Sequence, residues 1–135
     1  MRLVSKWHFP SYAHRPGVTP HPNKLGGHSY NKQEPLINNF DFSNLRASEE
    51  FLFACDLFNY KYYWEAHVYW EAIWHYLGRK GREADLIKSL IKLSASLLKA
   101  ELGDHSSAKA HFERYTELSQ GQAYWVFMDD KLSLT

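Results

Sequence analysis

The sequence predicts an all-α fold: a compact multihelical bundle of four main antiparallel helices with a short C-terminal turn and an extended, Pro/His-rich N-terminal arm packed on it. Three observations lead there. All five prolines (Pro10, Pro16, Pro20, Pro22 and Pro35) fall within the first 35 residues, where a fixed φ and a missing N–H rule out a sustained helix. From about Ser43 onward there is no proline, and apolar residues recur at helical spacing. Glycines at 78, 103 and 121 then stand where such helices would stop. At 135 residues the chain has the size of one domain, long enough to bury about two thirds of its unfolded surface. Residues 1–43 are therefore read as the arm and 44–135 as the bundle of a single domain.

The first helix is expected from about Asn44 to Asn59, with Leu45, Leu52, Cys55 and Phe58 turned inward. The second runs from about Tyr62 to Leu77, with Gly78 at the C′ position. The third, about Arg82 to Leu102, places Ile87, Leu90, Ile91, Ser94, Leu97 and Leu98 on one broad face and Lys88, Lys92 and Lys99 on the wet side. Asp104 is the expected N-cap of the fourth, which would bury Ala108, Phe112, Tyr115 and Leu118 before Gly121. A turn around Tyr124 to Phe127 is expected to fold back as a lid. Connections this short imply antiparallel neighbours.

Charge narrows the function classes. Sixteen basic residues nearly balance fifteen acidic ones, so no global field draws in nucleic acid or an anionic membrane. The apolar start is broken at once by Arg2, Lys6 and His8, and no stretch approaches the roughly 18 apolar residues of a spanning helix. A cytoplasmic location is the expectation. The balance is uneven along the chain: in the first 35 residues Arg2, Lys6, Arg15, Lys24 and Lys32 stand against Glu34 alone, while the remaining 100 residues are net acidic. That difference, with Trp7, Phe9, Tyr12 and Tyr30 to bury, favours an arm wrapped on the body. The single Cys55, among Phe51, Leu52, Phe53, Leu57 and Phe58, reads as a core residue.

The chemically suggestive stretch is Trp64 to Trp74 on the second helix. At about 100° per residue, Tyr63, Trp70, Glu71 and Trp74 all fall within about 60° of His67, on the stripe expected to face the core. His67 and Glu71, desolvated together one turn apart, are candidates for proton transfer, with Tyr63, Trp70 and Trp74 as a ligand pocket. His75 extends the pair to a ladder that offers nitrogen and oxygen ligands to a divalent metal. Glu65, about 160° from His67, should point away from the stripe unless another helix covers that side. The same histidine–glutamate pair also serves simply to fasten helices, and the spacing does not choose between these roles. Val68 and Tyr69 break any H-E-x-x-H pattern, which makes zinc-protease chemistry improbable. On the arm, His21 between Pro20 and Pro22, and His28 after Gly26-Gly27, sit in turn-like contexts; if the arm docks near the second helix, both could complete a metal site with His67 and Glu71. His8, His14, His105 and His111 are assigned no role.

Leu57-Phe58-Asn59, Tyr62-Tyr63-Trp64-Glu65-Ala66-His67, Glu71 and Trp74, then Leu90-Ile91-Lys92-Leu93-Ser94-Ala95 and Gly103, together resemble the bacterial domain of unknown function 309 (DUF309) family over roughly Ser48 to Ser119. Pro16-Gly17, Pro20-His21-Pro22 and Gly27-His28-Ser29-Tyr30 are similar to the arm of a subset of such proteins. The resemblance implies a compact multihelical bundle and the label of predicted metal-dependent hydrolase, carried onto Glu65, His67, Glu71 and Trp74. The family's usual glutamate after the histidine is Val68 here.

Three function classes follow. The leading expectation is a polar or divalent-metal site at His67 and Glu71 with hydrolytic use. The second is a helical-hairpin interaction module, suggested by Ala108 and Phe112 one turn apart. The third is an aromatic cage for a cationic small molecule. The aromatic load of 16% further suggests a homodimer, since surplus Trp and Tyr are common at interfaces.

Overall fold

The computed structural model describes residues 2–119. One turn of 3₁₀ helix (Leu45–Ala47) leads into α1 (Glu49–Asn59), α2 (Tyr63–Tyr76), α3 (Arg82–Glu101) and α4 (His105–Ser119), with no strand among the described residues. Consecutive helices pack on one another, α1 on α2, α2 on α3 and α3 on α4, as the short connections require. The turn expected at Tyr124 to Phe127 lies outside the described residues.

Local chemistry accounts for the helix ends. The first helix is not continuous from Asn44: Ser48 is extended (φ −100°, ψ 104°), and its hydroxyl accepts from the N–H of Phe51, so α1 starts there. Asp104 caps α4 as expected, accepting from the N–H of Ser107. Those hydrogen bonds hold its carboxyl below the usual aspartate range. Between α3 and α4, Gly103 takes φ +81°; its N–H meets the carbonyl of Ala100 while that of Asp104 meets Lys99, closing a Schellman turn in which a side chain would be strained.

The core is formed by Phe51, Ala54, Cys55, Leu57 and Phe58 of α1, Ala66, Trp70 and Ile73 of α2, and Ile87 and Leu90 of α3. Burial pushes the Cys55 thiol far above its ordinary pKa, as suits an inert core residue. Ser96 of α3 donates to the carbonyl of Ala108 at 2.7 Å and so ties α4 in. Two of the four residues expected inside α4 are buried, Ala108 and Leu118. Phe112 is half exposed and Tyr115 half-buried, because α4 packs chiefly on α3 and buries only a narrow stripe.

The arm joins the core. Val4, Ile37 and Phe40 are buried in it, and Trp7 and Phe9 pack against Phe53. Its beginning is held by the buried Asp56, which accepts from the N–H groups of Leu3 (2.7 Å) and Val4 (2.9 Å) and from Arg2 Nε (3.0 Å). Arg2 also lies over the Phe9 ring, 3.9 Å from its centroid. Arg15 donates to the carbonyl of Lys61 and pairs with Glu101 at 2.6 Å, fastening the middle of the arm to the ends of α2 and α3. No helix among the described residues is long and apolar enough to cross a membrane.

Candidate functional site

The buried stripe of α2 runs through Tyr63, Ala66, Trp70 and Ile73. Its centre lies about 80° from His67, so Glu65 and Glu71 are each about 120° from that centre, on opposite flanks. The two glutamates end in different surroundings because the arm covers one flank. This overturns the expected orientation. Glu71 has 49% of its side chain exposed, whereas Glu65 and His28 are each only 4% exposed.

Glu65 is the anchor of the arm loop. Its Oε2 accepts from His28 Nε2 at 2.7 Å and from the N–H of His14 at 2.8 Å, while its Oε1 is buried without a hydrogen-bond partner among the described residues. The loop that delivers His28 is stitched to itself. Tyr12 donates its hydroxyl to the carbonyl of Pro20 and accepts from the N–H of His28, and Ser29 donates its N–H to Pro22. Gly27 permits the crossing: a Cβ there would lie 2.1 Å from the carbonyl oxygen of His21 and 2.4 Å from that of Pro22. Of the glycine pair, Gly27 makes the close approach, and to the loop's own backbone, while Gly26 faces open space.

A carboxylate at Nε2 sets the tautomer of His28. With Nε2–H donating to Glu65, Nδ1 is an acceptor, and it lies 2.8 Å from Ser29 Oγ, whose hydroxyl can donate to it. Trp64 is enclosed by imidazoles, with ring centroids 5.2 Å from His14, 5.8 Å from His21, 6.4 Å from His28 and 5.4 Å from His67. His14 is buried, and its pKa is lowered chiefly by desolvation, with His21 and His28 acting the same way and Glu65 opposing them.

A cleft of about 830 Å³ lies between the outer face of α2 and the arm. Glu65, His67, Glu71 and His75 contribute from the helix, His28, Ser29 and Lys32 from the arm, and Phe9, Phe53, Leu57 and Tyr69 supply apolar wall. His67 donates its Nδ1–H to the carbonyl of Trp64, which leaves Nε2 4.0 Å from one oxygen of Glu71; His75 Nε2 is 4.0 Å from the other.

Of the sequence-predicted site residues, His28, His67 and Glu71 therefore share one cleft. His21 does not join them: it is an exposed residue against Trp64, accepting from the N–H of Asn23. Tyr63, Trp70 and Trp74 do not line the cleft either. Trp70 is wholly buried against Phe58, Tyr63 packs on Phe58 beneath Arg15, and Trp74 lies under Lys88, all on the bundle side of α2. Sequence reasoning missed His14 and Ser29, and it named Glu65 only through the family resemblance while expecting it to point away. One signal was present: Val68, Tyr69 and Ala72 lie on the Glu65 side of the helix, and an apolar flank away from the bundle calls for something to cover it.

Among the described residues, no group of three or more His, Cys, Asp or Glu side chains is placed to hold a metal ion. The donor set expected from His67, Glu71, His21 and His28 is not assembled, because Glu65 engages His28 and Trp64 packs against His21.

No curated protein and no solved structure matches the chain. A family model does: residues 51–110, from within α1 through α3 into α4 and including Glu65, His67 and Glu71, match the domain of unknown function DUF309.

Proposed function

We propose that the cleft between the arm and α2 binds a small organic substrate and hydrolyses it by general acid–base chemistry, with His28 and Glu65 handling the proton. The observation that carries this reading is the His28–Glu65 hydrogen bond of 2.7 Å, buried at the wall of a cleft large enough for a drug-sized molecule. Burying an ionisable pair is costly and does little for stability by itself, whereas a base held in one tautomer by a carboxylate is the arrangement general-base catalysis needs. His67, Glu71 and His75 line the same cleft and would contact the substrate.

Turnover of a panel of chromogenic esters, amides and phosphoesters tests this. Glu65→Gln and His28→Asn are expected to lower turnover by about 100-fold or more while circular dichroism stays helical. Full activity in both variants would refute the assignment.

A second reading keeps a divalent metal at His67 and Glu71, favoured by the His67–Glu71–His75 ladder along one face of α2. Two donors on a partly exposed face make a weak, exchangeable site, so no step of the reaction is routed through an ion. Zinc titration decides between the readings: uptake that His67→Ala abolishes, together with zinc-dependent turnover, would favour the metal.

A further inference from the structure

Resting on the hydrolytic reading of the cleft, we propose that Ser29 is a nucleophile and that Ser29, His28 and Glu65 form a catalytic triad for acyl transfer from carboxylic esters. The geometry has the two links such a relay requires. The nucleophile meets its base at 2.8 Å (Ser29 Oγ to His28 Nδ1), and the base meets its orienting carboxylate at 2.7 Å (His28 Nε2 to Glu65 Oε2). The imidazole is used in the reverse sense to the familiar triad, with the acid on Nε2 and the serine on Nδ1. The proton logic is unchanged, because the carboxylate accepts from the protonated nitrogen and the other nitrogen is left free to take a proton. All three residues line the cleft.

The surroundings complete the case. Glu65 is buried and receives a second donor, the N–H of His14, which fixes the carboxylate in place beside His28. Ser29 is half-buried, so its hydroxyl is shielded without being sealed in the core. Lys32 and Asn23 line the same cleft and bring N–H groups to it, and Lys32 is the only lysine or arginine in the lining among the described residues. Phe9, Phe53, Leu57 and Tyr69 offer the apolar surface an ester's acyl or alcohol group would cover. Serine and histidine are neighbours on one arm loop and the acid comes from α2, so the relay exists only when the arm is docked.

In the reaction, Ser29 Oγ attacks the ester carbonyl carbon as its proton passes to His28 Nδ1, and the carbonyl electron pair moves onto oxygen. Collapse of that intermediate breaks the carbon–oxygen bond of the leaving alcohol, which departs with the proton from His28. Water then repeats the sequence on the acyl-Ser29 ester, releasing the carboxylic acid and restoring the hydroxyl.

The test treats the full chain with an alkyl fluorophosphonate, followed by intact mass and peptide mapping, beside the hydrolysis of p-nitrophenyl acetate. One adduct at Ser29 is expected, absent in Ser29→Ala, with labelling slowed about 100-fold or more in His28→Asn and Glu65→Gln. Ser29→Ala removes a hydroxyl and leaves the loop's backbone hydrogen bonds in place; Ser29→Cys is the second variant and should be alkylated by iodoacetamide at a rate that falls when His28→Asn is added. Lack of an adduct at Ser29 in the wild type overturns the proposal, as does equal labelling of the wild type and His28→Asn. Ester turnover that survives Ser29→Ala but is lost in Glu65→Gln overturns the nucleophile alone and leaves the acid–base cleft standing.

Discussion

Replacing Glu65 with alanine should be among the most damaging single changes on α2, whereas replacing Glu71, two turns along the same helix, should be nearly silent. Glu65→Ala removes the acceptor of two buried donors, the N–H of His14 and Nε2–H of His28. Each donor left unpaired costs about 1–3 kcal/mol, so losing the acceptor of both costs about 2–6 kcal/mol in all. For a chain of this size that corresponds to a Tm lower by about 10–20 °C. Part of the loss would appear as local release of the arm, since the loop can detach while the helices stay packed. Glu71 is half exposed and meets its histidines only at 4.0 Å, so Glu71→Ala should change stability by no more than about 0.5 kcal/mol. Urea denaturation followed by tryptophan fluorescence measures both, because Trp64 lies under the arm loop and loses its imidazole cover when the loop lifts. Limited proteolysis of the arm checks the local component. A Glu65→Ala variant as stable as wild type, or a Glu71→Ala variant equally destabilised, would refute the assignment of Glu65 as the arm's anchor.

Gly27→Ala should loosen the arm loop and speed its proteolysis, because the added methyl would fall on the backbone carbonyls of His21 and Pro22; unchanged cleavage would show that the crossing is not as tight as described. Stability should fall as pH drops through and below 6.5, the ordinary histidine value, since buried His14, facing Glu65, His21 and His28, has a lowered pKa when folded and binds its proton more readily when unfolded. That contribution is present above the unfolded value and lost as pH falls through the folded one, so His14→Asn should flatten the slope of stability against pH across this window. An identical slope in the variant would sink it.

Much of the helical framework was legible in the sequence. Helix formation is a local property: the spacing of Trp70, Ile73, Ile87 and Leu90, the stops at Gly78 and Gly103 and the cap at Asp104 act through neighbours three or four residues away. The one break in that framework, the extended Ser48 between the 3₁₀ turn and α1, is also a capping event. The site was legible only in part. His28 was recognised from its turn context and His67 and Glu71 from their spacing, and all three do line one cleft. Their roles went to other partners because periodicity says which residues share a face and is silent on what covers it.

Glu65 and Glu71 show the limit most sharply. They stand at equal angles from the buried stripe of α2, and nothing in a helical wheel distinguishes them. The arm does, by lying over one flank, and its path rests on contacts spanning dozens of residues: Asp56 with Leu3 and Val4, Arg15 with Glu101, His28 with Glu65. Such contacts have no period and leave no spacing to read. The sequence alone thus determined four helices and their order; the docking of a proline-bound arm decided which carboxylate is buried, which histidine it orients and where the cleft opens.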